Sequence, residues 1–278
     1  MPPLFPCRKT AALALALALA APTVHAAEKT YCNTYESGGK AVLMLIDRTS
    51  GSNSAKLRNA VEAARKYLLG SEVDDPAAPE RKKIGGAALQ PGQFLQVSTI
   101  ADNIANRTLA YQDCRPGRQA GLSNWLDRPI DPTVLSQHDR DFHREASEAI
   151  RKAISGAKPT KHSAIADTLS KLSREYPEGG ITRVVIVSDM LDNLTVDLLP
   201  KNGNTRGMTD FQLREAIRIT GARDGFARLN DAEVIAFGFG VDDADRTPLS
   251  PDAARMVKRF WDTYLQRSDA QGELQIKY

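Results

Sequence analysis

Three short, unbroken apolar runs constrain this chain more than any other feature. They are Ala41-Val42-Leu43-Met44-Leu45-Ile46, Val184-Val185-Ile186-Val187 within Arg183–Ser188, and Val234-Ile235-Ala236-Phe237 within Val234–Phe239. A strand with one wet face alternates apolar and polar residues, whereas a strand buried on both faces reads as a continuous apolar stretch. Three such stretches predict parallel strands in the middle of a sheet. Helical periodicity fills the intervals. Ser52–Leu69 carries Ala55, Val61, Ala64 and Leu68 at helical spacing, and Gly70 can close it. Asp139–Ile154 places Phe142, Ala146, Ala149, Ile150 and Ala153 on one face, and Ser163–Tyr176 does the same with Ile165, Leu169 and Leu172. Further helices are predicted over Thr209–Thr220, with Thr209 as its cap, and over Pro251–Gln266. Strands alternating with helices imply an α/β fold: a doubly wound, Rossmann-like, mainly parallel sheet flanked by helices.

The remaining segments fit around that frame. Gln93–Ile100 alternates and reads as a strand, with Arg107–Cys114 as its hairpin partner across 101–106. Glu273–Tyr278 reads as a short edge strand. Residues 71–92, rich in Pro, Gly and charge, are expected to be an exposed loop, 115–136 a long connection, and 195–207 a further loop. No internal repeat and no composition break divides the chain after its leader. We therefore expect one domain over 27–278 with loop insertions.

The leader itself is legible. Arg8 and Lys9 precede an apolar run from Ala11 to Ala21, followed by Pro22 and the small-residue exit Val24-His25-Ala26 before Ala27. This pattern predicts a cleavable signal peptide over 1–26. The run is far short of the ~20 apolar residues a spanning helix needs, and no later stretch is long and apolar enough for a transmembrane segment. Cys7 precedes the apolar core, so it does not read as a lipid-attachment cysteine. Export to the periplasm, or secretion, follows as the expectation. In an oxidising compartment the two cysteines beyond the leader, Cys32 and Cys114, are expected to form a disulfide. The chain carries 37 Lys and Arg against 34 Asp and Glu, and two of the basic residues lie in the leader. A nearly neutral remainder offers no clustered basic face for nucleic acid.

Two of the buried runs end in an aspartate, Asp47 and Asp189. Ligands of open α/β sheets bind at the carboxyl ends of the strands. Carboxylates there, followed by small hydroxylated residues, are the oxygen donors that hard cations prefer. Leu45-Ile46-Asp47-Arg48-Thr49-Ser50-Gly51-Ser52 resembles the first strand and ligand loop of a von Willebrand factor type A (VWA) domain, whose loop reads D-x-S/T-x-S. Val184–Asn193 is similar to that family's central strand and the aspartate after it. Ser163-Ala164-Ile165-Ala166-Asp167-Thr168-Leu169 resembles its helix start, and Glu233–Gly240 its next strand. The likeness runs over about 41–266, in order.

This resemblance implies a metal-ion-dependent adhesion site. By carry-over, Asp47, Thr49, Ser163 and Asp189 would surround one Mg²⁺, or Mn²⁺ or Ca²⁺, and a carboxylate from a protein partner could complete the shell. Two positions depart from the family pattern. Gly51 stands where the family has Ser, which Ser50 or Ser52 could replace if the loop shifts, and Ser163 stands where it has Thr. The bland alternative makes Asp47 and Asp189 caps that accept hydrogen bonds from neighbouring loops. The function expected is a non-enzymatic, exported adhesion or scaffold module. A metal-assisted phosphate hydrolase using Asp47 is the competing reading. Such hydrolases carry a second Asp two positions on, where this chain has Thr49. A third reading is an interaction module that works without metal.

Other features read blandly. His138 and His143 are expected at the surface, since a spacing of five does not share a helix face. His162 reads as a solvated loop residue. Asp242-Asp243-Ala244-Asp245 lacks the Gly and closing Glu of a calcium loop, and Gly238-Phe239-Gly240 lacks the third glycine of a dinucleotide fingerprint. Phe260, Trp261, Tyr264 and Leu265 are expected to pack in the core.

Overall fold

The computed structural model describes residues 31–35, 39–48, 55–75, 78–100, 107–117, 130–155, 162–192, 198, 209–240 and 249–277. The central element is the first apolar run, strand β1 (Ala41–Asp47), in which every residue is buried. Five strands join it: β4 (Phe94–Ile100), β5 (Leu109–Cys114), β6 (Ile181–Val187), β7 (Glu233–Phe237) and β8 (Gln275–Lys277). They form one sheet in the order β5-β4-β1-β6-β7-β8. All neighbours are parallel except the β4–β5 hairpin. From β1 the chain therefore moves outward through β4 to β5, then crosses β1 and continues through β6, β7 and β8. The reversal falls between β1 and β6.

Alternate residues of β1 enter separate cores. Ala41, Leu43 and Leu45 pack with Val184, Ile186, Val234 and Ala236, under helices α3 (Ile165–Ser173), α4 (Asp210–Arg223) and α5 (Pro251–Arg267). Val42, Met44 and Ile46 pack with Val185, Val187, Ile235 and Phe237, under α1 (Ala55–Leu69) and α2 (Pro132–Ile154). Continuous apolar strands are thus needed here because helices cover both faces. The last helix contributes Phe260, Trp261, Tyr264 and Leu265 to the first core, as their spacing predicts. Among the described residues, no helix is long and apolar enough to cross a membrane.

Several expectations need correction. Residues 71–92 are not all loop: Ser71–Asp75 (β2) and Ala78–Gly85 (β3) pair as a separate antiparallel hairpin, and Leu89 is fully buried. The hairpin has no apolar alternation to announce it; its backbone register sets Asp74 opposite Lys82. Helix α2 starts at Pro132, two turns before Asp139. Asp131 caps it by accepting Thr133 N–H at 2.7 Å, with Pro132 in the first turn. The longer helix meets the segment 31–35, so His138 and His143 are not simply surface residues. His138 Nδ1 lies 2.7 Å from the Tyr35 hydroxyl. His143 is buried beside Phe142, 3.5 Å from Asp139. That same N-terminal turn is tied to β5 by the Cys32–Cys114 disulfide, with Cα atoms 4.7 Å apart, an ordinary disulfide separation. The cap on α4 is as expected: Thr209 Oγ1 accepts Gln212 N–H, and Gln212 Oε1 accepts Thr209 N–H.

Candidate metal centre

The register aligns Ile46 of β1 with Val187 of β6, and Val187 with Phe237 of β7. Asp47, Ser188 and Gly238 therefore follow at the same rim, the carboxyl ends of the strands. The boundary between β1 and β6 is the topological switch point, where neighbouring connections diverge. Side chains from three separate chain segments meet there.

Asp47 is wholly buried. Its Oδ2 accepts the Ser163 hydroxyl proton at 2.7 Å and the Ser188 hydroxyl proton at 2.7 Å. Ser188 Oγ in turn accepts Met190 N–H at 2.9 Å. Asp189 Oδ1 accepts Leu191 N–H at 2.9 Å, holding the turn after β6. Asp192, also buried, accepts Ala166 N–H at 2.9 Å. Ala164 stands at the N-cap of α3 with no side chain able to cap. A helix start still needs acceptors for its first N–H groups, and Asp192 supplies one from another loop.

The turn is braced from α5. Trp261 Nε1–H donates to Met190 O at 2.8 Å, and the Tyr264 hydroxyl donates to Ala166 O at 3.1 Å. Burial, and secondarily the charges of Asp192 and Asp224, hold the Tyr264 hydroxyl well above the ordinary tyrosine range, so it stays a neutral donor. Met190 is buried with φ 65°, in the left-handed region. A non-glycine residue there stores strain that the surrounding bonds must hold. On the far side, Gly238 has φ 85°, and a Cβ there would meet Ala60 Cβ at 3.2 Å.

Of the residues singled out from sequence, the structure joins Asp47 directly to Ser163 and puts Asp189 beside Ser188 in the same rim turn. Thr49, Ser50, Gly51 and Ser52 lie outside the described residues. Ser163 is not a helix cap; its hydroxyl goes to Asp47. Sequence reasoning missed Ser188 and Asp192. A usable signal existed in the second aspartate three residues after Asp189; the predicted helix opened on Ser163, whereas in the structure Ala164 stands at its N-cap. The chain matches no family model and no curated protein.

The donor chemistry fits a hard cation. A serine hydroxyl that gives its proton to a carboxylate keeps lone pairs for another partner, and carboxylate and hydroxyl oxygens suit Mg²⁺ or Ca²⁺. Among the described residues, no three His, Cys, Asp or Glu side chains gather as a metal cluster.

Proposed function

We propose that this chain is an exported protein-binding module of the VWA-like, doubly wound type, which docks a protein partner at the carboxyl rim of its sheet through a divalent cation. One observation carries the reading: Ser163 and Ser188, from segments far apart in sequence, converge on the buried Asp47 carboxylate at the switch point. Asp47, Thr49, Ser163 and Asp189 would hold Mg²⁺, Mn²⁺ or Ca²⁺, with Ser50 or Ser52 standing in for the hydroxyl that Gly51 lacks. When bound, the cation supplies an open coordination position for a carboxylate of the partner. The chain's own residues orient the site: Ser188 fixes the Asp47 carboxylate, Asp192 fixes the start of α3 behind Ser163, and Trp261 and Tyr264 hold both loops. The signal-like sequence pattern over 1–26, which lies outside the described residues, supports a periplasmic or secreted location.

A metal-free module is the second reading, favoured by the two hydroxyls that Asp47 Oδ2 already accepts. A phosphate hydrolase is less well supported, because a nucleophilic carboxylate must reach solvent and Asp47 is 0% exposed. Calorimetry with Mg²⁺, Mn²⁺ and Ca²⁺, with Asp47→Ala as control, tests the proposal. Heat that vanishes in the variant is the expected result. No heat with any ion removes the cation, and capture of an envelope partner unaffected by chelator assigns the metal-free reading.

A further inference from the structure

Helices α4 and α5 leave a groove between them, of about 570 Å³, within the size range of ligand clefts. Leu213, Ile217 and Phe226 give it an apolar lining. Gly221 makes room for the Phe226 ring, which a Cβ at 221 would meet at 2.6 Å. Four exposed arginines line the groove: Arg214 and Arg218 from α4, Arg259 and Arg267 from α5. Asp210 is the one carboxylate in the lining, and it is paired with Arg259 at 2.9 Å. Arg218 is paired with Glu215 at 2.6 Å. Arg214 and Arg267 pair with no carboxylate among the described residues. Phe211, 70% exposed, lies three residues before Arg214 and seven before Arg218. That spacing puts it on the same side of α4, so it extends the apolar surface past the arginine lip.

An apolar floor between guanidinium groups from two helices is complementary to an amphipathic helix whose apolar face is edged by carboxylates. A second copy of this face would bring arginine against arginine, which opposes self-association. We propose that the α4–α5 groove docks an acidic amphipathic helix of a protein partner. Carboxylates of that helix pair with Arg214 and Arg267, and its apolar side chains cover Leu213, Ile217 and Phe226. This does not depend on a cation at the sheet rim.

The test uses the purified protein and two synthetic helical peptides that share one Leu/Phe face, edged in one by Glu and in the other by Lys. Fluorescence anisotropy is expected to show saturable binding of the Glu peptide, about tenfold or more tighter than the Lys peptide. Arg214→Glu with Arg267→Glu is expected to reverse that preference, and Phe211→Ala to weaken binding of the Glu peptide. All three positions are exposed, so circular dichroism should show the fold retained. Chelator and Asp47→Ala should leave binding unchanged, which separates failure here from failure of the rim reading. Equal binding of the two peptides, no saturable binding, or an unchanged preference in the double variant would overturn the proposal. So would a dimer seen by sedimentation that Arg214→Glu dissolves, which would assign the groove to a second copy.

Discussion

Removing the two hydroxyls around Asp47 one at a time, and then together, tests whether the rim is built around that carboxylate. Ser163→Ala deletes one hydrogen bond to it at 2.7 Å. A bond to a charged group contributes about 1.5–3 kcal/mol, so a loss of about 2 kcal/mol is expected. Ser188→Ala deletes the matching bond and also the acceptor of Met190 N–H at 2.9 Å. That N–H belongs to a fully buried residue with left-handed backbone, and an orphaned buried donor costs about 1–3 kcal/mol. The expected loss for Ser188→Ala is therefore larger, about 3–4 kcal/mol. With both hydroxyls gone, Oδ2 loses both of these donors, and weakening the hold on a buried carboxylate twice is penalised more than either deletion alone. The double variant should then exceed the sum of the singles by about 1 kcal/mol or more. Urea unfolding of the four proteins in chelator measures these values, and for a chain of this size each kcal/mol moves Tm by about 2–4 °C. Repeating the series with Mg²⁺ separates the roles. Ser163→Ala should lose the stabilisation that the ion gives the parent, while Ser188→Ala, which removes no proposed ligand, should keep most of it. Losses under about 0.5 kcal/mol for both singles, or plain additivity, would refute the claim that the two serines act through Asp47.

Three more outcomes follow from particular contacts. Reducing the Cys32–Cys114 disulfide, which spans 82 residues, should cost about 4.5 kcal/mol on the chain-entropy model; a Tm unchanged by reductant would contradict that. Burial raises the Asp139 carboxyl, but the His143 imidazole 3.5 Å away and the Arg115 guanidinium, hydrogen-bonded to it at 2.9 Å, outweigh it and hold the group below its usual value. The folded value is thus depressed, so its stabilisation is present above the ordinary Asp value of ~3.9 and lost as pH falls through the lower folded one. Asp139→Asn should flatten that part of the acid limb in a pH series of unfolding curves, and an unaltered limb would disprove the assignment. Asp192→Ala removes the acceptor of Ala166 N–H and should cost about 1–2 kcal/mol, the range for a lost helix cap. Amide exchange at the start of α3 reads this directly, and unchanged protection there would exclude Asp192 as the cap.

Much of the sheet is legible in the chain. The runs at 41–46, 184–187 and 234–237 leave no polar face, so only strands buried on both sides suit them, and all three occupy adjacent central positions. The hairpin of β4 with β5 is equally readable from alternation and length. What escaped the sequence lacked an apolar signature. The β2–β3 hairpin is held by backbone pairing between charged segments, and the first two turns of α2 were hidden by their polarity although Asp131-Pro132 marked the start. Asp47 was visible as a carboxylate at a strand end. Ser163 was placed beside it only by the family resemblance and Ser188 not at all, because they lie 116 and 141 residues away, and no local spacing encodes which hydroxyl will face it.

Periodicity by itself therefore determined the α/β class, the buried strands and most helix positions, since each depends on which side chains avoid water within a few turns of chain. The strand order, the switch point between β1 and β6, the cap that Asp192 gives α3 and the arginine-lined groove between α4 and α5 were decided only by tertiary structure. Each is a meeting of segments distant in sequence, and such meetings depend on how whole elements pack rather than on any local pattern.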